Sequence, residues 1–254
     1  MARALLQTEE LTIRYGGVVA ANGITLDIAP NEVHAVIGPN GAGKTTLINL
    51  ISGEIIPHEG NIHFDGVDIT WLPVYRRSRL GLARSFQITS LFRDFTALDN
   101  VALAVQAHRG HSFRFWRDAR SDLELRAPAA AALARVGLSE RTGVRVDKLS
   151  HGEHRQLDIA MALAVQPRLL LLDEPMAGLG PEESVRMLEI MRELKGSVTI
   201  LLIEHDMEAV FALADRVTVL VDGRIIASGV PQVIKADASV RQAYMGENRG
   251  NKSS

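Results

Sequence analysis

The 254-residue chain has no cysteine, which excludes a disulfide framework and any thiolate metal site. Charge of one sign is also missing. Twenty-eight Lys and Arg stand against 30 Asp and Glu, a formal net charge of -2, so nothing global argues for nucleic-acid binding or a polybasic membrane anchor. No apolar run approaches the ~20 residues needed to span a bilayer. The opening "MARALLQTEELTIRYGG" lacks the apolar core of a signal peptide. Internal repeats, low-complexity segments and sustained heptads are absent too. These absences leave a cytosolic globular chain, long enough for one large domain or two small ones, that would need another chain to work in a membrane.

The residues that are present alternate between two kinds of pattern. "LTIRY" and "ITLDI" have the apolar–polar alternation of half-buried strands, whereas "VHAVIG" is a continuous apolar run ending in glycine, as in a strand buried on both faces. "NIHFDGVDI" predicts a hairpin turning at Asp65-Gly66. The opening therefore reads as antiparallel strands wrapped around one buried strand. The middle is helical from Thr96 to about Val136. Thr96 and Asp99 form a capping-box pattern, and "RAPAAAALARVGL" is a second, alanine-rich helix. A third helix begins at Ser150, with Leu157, Met161 and Ala164 or Val165 on one face. Strands return in "RLLLLDEP" and "SVTILLIEH", with a helix opening at Pro181 between them. "RVTVLVDGRIIASG" closes with a hairpin at Asp222-Gly223. This alternation implies an α/β fold with a mainly parallel sheet and right-handed crossovers, interrupted by a helical insertion.

Two motifs carry chemistry. "GPNGAGKTT" comprises Gly38, Pro39, Asn40, Gly41, Ala42, Gly43, Lys44, Thr45 and Thr46, and matches G-x-x-x-x-G-K-[ST] between a predicted strand and a predicted helix. Its glycines let the backbone wrap phosphates, with loop N–H groups and the helix N-terminus facing the negative charge. Lys44 can reach the β- and γ-phosphates and Thr45 can ligate Mg²⁺. In "LLLLDEP", a strand ends in Asp173, which puts a carboxylate near that Mg²⁺, and Glu174 is placed to orient or deprotonate an attacking water.

In "LSHGEHRQ", Ser150 and Glu153 form a capping-box pattern that places Ser150, His151, Gly152 and Glu153 at a helix start. The phosphate loop, "LSHGEHRQ" and "LLLLDEP", in that order, resemble the ATP-binding-cassette (ABC) ATPases over nearly the whole chain. The resemblance implies one cassette across residues 1–254, with a core of 1–90 and 160–254, an N-terminal antiparallel β subdomain, and a helical subdomain at about 91–159. It also implies that Tyr15 stacks on adenine, that Gln87 in "RSFQITSLF" contacts Mg²⁺ and couples to membrane subunits, and that His205 is a switch histidine near the γ-phosphate. Ser150, His151, Gly152 and Glu153 would be the signature that clamps the γ-phosphate of ATP bound to a second cassette.

"RSFQITSLFRDFTALDNVALA", "IEHDMEAVFALADRVTVLVDGRIIASG" and "AYMGE" look like the importer subunits for branched-chain and other hydrophobic amino acids. What that implies is two transmembrane permease subunits, a second ABC ATPase forming a homo- or heterodimer, an indirect link to a solute-binding protein, and a peripheral place on the cytoplasmic face of the inner (plasma) membrane. No nucleic-acid partner is expected. The alternative is a soluble ABC ATPase acting in repair or translation. Two features depart from the pattern, whereas the arginine- and aromatic-bearing insertion after "RSFQITSLFRDFTALDNVALA" belongs to it. His151 replaces a glycine, and Gly180 in "AGLGP" stands where the family usually has Asp or Asn. "HRGHSFRFWRDAR", from His108 to Arg120, is an amphipathic surface segment, a membrane or permease contact, or, least favoured, a nucleic-acid contact. "HGEH" lacks the H-E-x-x-H spacing and a third ligand, which argues against zinc.

Overall fold

The computed structural model describes residues 3–85, 91–110 and 122–243. Gln87, most of the basic-aromatic stretch and the "YMGE" of the final motif lie outside the described residues.

The chain begins with β1 (Leu6–Tyr15) and β2 (Val18–Ile28), an antiparallel ribbon in which Tyr15 pairs with Val18. β3 (Val33–Ile37) is buried throughout and runs into the phosphate loop and α1 (Lys44–Ser52). β4 (Glu59–Phe64) and β5 (Val67–Asp68) form the predicted hairpin, with Asp65 and Gly66 both at positive φ, as a type I′ turn requires. α2 (Val74–Arg79) and β6 (Leu82–Arg84) follow. The helical middle comprises α3 (Ala97–Arg109), α4 (Leu123–Arg135) and α5 (His151–Ala164). After it come β7 (Leu169–Asp173), α6 (Pro181–Leu194), β8 (Thr199–Ile203), α7 (Met207–Leu213), β9 (Arg216–Val221), β10 (Arg224–Gly229) and α8 (Pro231–Ala236).

The strands form two sheets. Strands β2-β1-β4-β5 make an antiparallel sheet, and β10-β9-β3-β8-β7-β6 make a second in which only the β9–β10 pair is antiparallel. Contrary to expectation, the opening antiparallel strands do not wrap around β3 but form a separate sheet. β3 pairs with β8 and β9 from the far end of the chain, because a continuous apolar strand needs neighbours on both edges and cover on both faces. The antiparallel sheet supplies part of that cover. Leu6, Ile24 and Phe64 share a core with Leu47 and Ile51 of α1 and with Leu169, Leu171, Leu201 and Ile203 of the second sheet. Alternate residues, Leu170, Leu172, Ile200 and Leu202, face the opposite way into a core with α3, α4, α5 and α6. The period-2 pattern thus divides each buried strand between two cores.

Local signals set the helix starts. Thr96 accepts the Asp99 N–H at 3.1 Å and so caps α3, but the Asp99 carboxylate pairs with Arg126 at 2.9 Å, fastening α3 to α4. At α5 the capping box is complete: Glu153 N–H donates to Ser150 Oγ at 3.2 Å, and Ser150 N–H donates to Glu153 Oε2 at 2.8 Å.

Buried charges interrupt the apolar interior, Arg77 and Asp158 among them. The Arg77 guanidinium donates to the carbonyls of Leu50, Ile51, Thr70 and Leu72, which ties the C-terminal end of α1 to the loop before α2. On α5, Asp158 is 7% exposed, and one of its carboxylate oxygens has no hydrogen-bond partner among the described residues. Burial pushes its pKa from 3.8 up to about 7. Between those values the folded chain holds a proton that the unfolded chain has lost, so the Asp158 contribution to stability falls as pH rises from about 4 to about 7. Asp158→Asn should match wild type in urea unfolding at low pH and exceed it by roughly 2–4 kcal/mol at pH 8. A pH-independent difference between the two proteins would contradict this.

Candidate functional site

The phosphate loop lies where β3 leaves the sheet, and its glycines are fixed by their surroundings. A Cβ on Gly38 would strike the Leu220 carbonyl of β9, and one on Gly43 would strike the Ala20 carbonyl of β2. Gly43 also caps α1 at φ 100°, a left-handed conformation that L side chains rarely adopt. The loop is stitched to the β9–β10 turn by the Gly223 N–H to Ala42 carbonyl bond, at 3.0 Å, and that turn to β2 by the Asn22 N–H to Gly223 carbonyl bond, at 2.9 Å. Lys44 Nζ folds back to donate to the carbonyls of Gly38 at 2.6 Å and Pro39 at 2.9 Å. Thr45, the second residue of α1, is exposed, and Thr46 is half-buried. Asn40 and Gly41 form the exposed crest of the loop.

The acidic pair reaches the same edge of the sheet. Asp173 is the last residue of β7 and pairs with Ile203 of β8. Burial pushes its pKa up, while the Arg84 guanidinium at 3.2 Å and the Lys44 ammonium oppose that rise. Arg84, at the end of β6, also binds Asn49 Oδ1 at 2.7 Å and Glu54 at 2.8 Å, joining α1 to the acidic strand. Glu174 follows at φ 49°, with its N–H donated to the Ile203 carbonyl at 2.9 Å. This turn out of the strand aims the half-buried Glu174 away from the path of β7. His205 is exposed one residue beyond Glu204, and its Nδ1 lies 3.8 Å from the Glu204 carboxylate. Tyr15 stands 53% exposed at the tip of the β1–β2 ribbon, the same ribbon whose Ala20 carbonyl lies against the loop. Lys44, Thr45, Asp173, Glu174 and His205 are therefore gathered at the C-terminal edge of one parallel sheet, where ligands of open α/β sheets bind.

The α5 start is a separate site. A cleft of about 270 Å³ there is lined by Ser150, Gly152, Glu153, Glu183 and Arg186, and by no residue of Gly38–Thr46. Two donors of the helix start, Ser150 Oγ and Gly152 N–H, are taken by Glu183 of α6. Its Oε1 accepts from Gly152 N–H at 3.0 Å and from Ser150 Oγ at 3.3 Å, while Oε2 accepts from Gly180 N–H at 3.3 Å. These donors hold the Glu183 carboxyl below its ordinary pKa. Glu153 points aside, held by Ser150 N–H and by Arg141 Nε at 2.7 Å. His151 has an ordinary negative φ, and its Nε2 lies near Gly178, so it is Glu183 and not the His151 side chain that covers the donor pair. Gly180, the N-cap of α6, also has negative φ and open space around it, so no backbone constraint accounts for the missing side chain.

Sequence reasoning missed Arg84, Glu183 and Glu204. Each acts through a contact distant in sequence, and the spacing of acids and arginines carries no signal for such contacts.

The chain matches the family model for ABC transporters over residues 21–177. It is similar to the high-affinity branched-chain amino acid transport ATP-binding protein BraF of Pseudomonas aeruginosa, at 39% identity over 97% of this chain and 100% of the relative. Its similarity to LivG of Escherichia coli K12, which has the same description, is 37% over 97% and 100%. Among solved structures, an ATP-binding cassette of an ABC transporter in its ADP conformation superposes with a TM-score of 0.85 at 28% identity, covering 96% of this chain and 100% of that one.

Gly43→Ala adds a side chain in a strained conformation against the Ala20 carbonyl. It should lower the melting temperature by about 5 °C or more. An unchanged melting temperature would contradict the tight packing of the loop. With a nucleotide-type loop and an acidic strand on one sheet edge, a matching family model and relatives aligned end to end, the chain belongs to the ABC transporter family as an ATP-binding cassette.

Proposed function

We propose that this cassette is the ATP-hydrolysing subunit of an importer for branched-chain or related amino acids. The observation that carries the reading is the near-complete alignment with relatives described as ATP-binding proteins of high-affinity branched-chain amino acid transport. Those relatives disfavour the alternative of a soluble cassette acting in repair or translation. The proposed partners are two transmembrane permease subunits, a second ABC ATPase, identical or related, and, indirectly, a solute-binding protein. The proposed place is peripheral, on the cytoplasmic face of the inner membrane. Among the described residues no helix is long and apolar enough to cross a membrane, so the permeases would supply the spans.

At the site, the N–H groups of Gly41, Gly43 and the start of α1 would cradle the phosphates, and Lys44 would exchange its carbonyl partners for the β- and γ-phosphate oxygens. Tyr15 would stack on adenine. Mg²⁺, when bound, neutralises phosphate charge; the hard oxygen donors of Thr45 and Asp173 suit it, with Gln87 as a further proposed ligand. Glu174 would orient or deprotonate water, and His205 would meet the γ-phosphate. Ser150 Oγ and Gly152 N–H would serve the nucleotide of a second cassette, since their cleft is lined by no phosphate-loop residue. To do so they must be released by Glu183, because a carboxylate and a γ-phosphate repel at one donor pair. ATP would then join two cassettes until hydrolysis removes the bridge, and the opening and closing would drive the permeases.

An affinity-tagged chain recovered from membranes should bring down two multispan proteins; recovery with ribosomes or DNA instead would overturn the importer reading. Glu174→Gln should bind ATP within about threefold of wild type but lose at least about 100-fold in phosphate release; wild-type turnover would remove Glu174 as the base. Lys44→Ala should weaken ATP binding by about tenfold or more in an equilibrium titration, and unchanged affinity would count against the loop assignment.

A further inference from the structure

Glu204, the residue after β8, is a fully buried carboxylate. Burying an ionised carboxyl costs several kcal/mol unless donors surround it. Its hydrogen-bond donors are backbone N–H groups, and the basic side chain near it is the His205 imidazole, with Nδ1 3.8 Å from the carboxylate. Met176 N–H reaches Oε1 at 3.0 Å, His205 N–H reaches Oε2 at 3.2 Å, and the Asp206 N–H also favours the charged form. Met176 lies two residues after Glu174, and His205 is itself the exposed histidine of the site. The β7–β8 ladder ends at the Asp173–Ile203 pair and the bond from Glu174 N–H to the Ile203 carbonyl. Beyond that point the two chains part: one turns at Glu174 and continues toward α6, and the other enters α7 through the Asp206 cap. The Glu204 side chain supplies the cross-link that the ladder no longer provides. An apolar residue would fit a buried position without the desolvation cost, but would leave these N–H groups without that acceptor.

We propose that Glu204 is a positioning residue for ATP hydrolysis: its carboxylate fastens the loop carrying Glu174 to the loop carrying His205, so that both face one γ-phosphate in a fixed register. This rests on the reading of Glu174 and His205 given above. It assigns no contact with nucleotide to Glu204, so binding should survive its loss while turnover should not.

The test is steady-state hydrolysis of MgATP, with kcat and KM determined separately for wild type, Glu204→Leu and Glu204→Gln, alongside ATP affinity and thermal melts. Glu204→Leu removes both acceptors and should lower kcat by about tenfold or more, with KM and ATP affinity within about threefold. Glu204→Gln keeps one acceptor oxygen but turns an NH₂ toward an N–H group, so its kcat should fall between the other two. It retains volume and shape, and carries the test if Glu204→Leu does not fold. Amide exchange at Met176 should quicken in the folded variants, a local change that general destabilisation would not single out. Wild-type kcat in a folded variant, or a loss expressed through KM alone, would overturn the inference. A wild-type protein that hydrolyses no ATP would instead overturn the reading of the site, and this inference with it.

Discussion

The chemistry of this protein depends on the parallel pairing of β3 on both of its edges. Val36 pairs with Ile203 of β8 and Ile37 with Val219 of β9, while β8 pairs Ile203 with Asp173 of β7. Parallel strands end on the same edge, so these registers bring the phosphate loop, the Asp173–Glu174 turn and the Glu204–His205 turn together. The phosphate loop is more than a hundred residues from either turn in sequence, and the hydrogen-bond ladder closes that distance. Both sheets then limit how the loop can lie: the Ala20 carbonyl of β2 leaves no space for a side chain on Gly43, and the Leu220 carbonyl of β9 none on Gly38.

Much of this was legible in the sequence because its causes are local. The Asp65-Gly66 and Asp222-Gly223 turns, the Pro181 helix start and the Ser150–Glu153 capping box each rest on residues within a few positions of one another, and each is observed. The continuous apolar runs at Val33–Ile37, Leu169–Asp173 and Thr199–Ile203 follow from burial on both faces. The error over the neighbours of β3 has the complementary cause. A strand with no polar face records that it is covered, but not which strands cover it. Arg84 on Asp173, Glu183 on the Ser150–Gly152 donors and Glu204 on Met176 were illegible for the same reason, since each is a contact between elements well separated in the chain.

Buried carboxylates recur around the site with different partners. Asp173 faces two cations, Arg84 and Lys44, whereas Glu204 has backbone N–H groups and the neighbouring His205 imidazole. Desolvation raises both above their ordinary range, and the named partners resist the rise. Asp173 thus combines a hard oxygen donor with an adjoining positive charge, which suits a phosphate and a divalent cation arriving together. The proposed second half of the machinery is a donor pair at the start of α5, held by the chain's own Glu183. His151 does not obstruct that pair, and the greater departure is Gly180, where open space is left without a side chain.

The central claim is that one chain holds two halves of different ATP sites. Specific ATPase activity measured across a wide dilution series of the purified cassette, with its partner cassette if the two co-purify, tests this most directly. Half-sites predict that activity per mole collapses on dilution, as the molecules part, and reaches a plateau at high concentration. Activity per mole that stays constant throughout the series would mean that one chain contains a complete site, and would contradict the account.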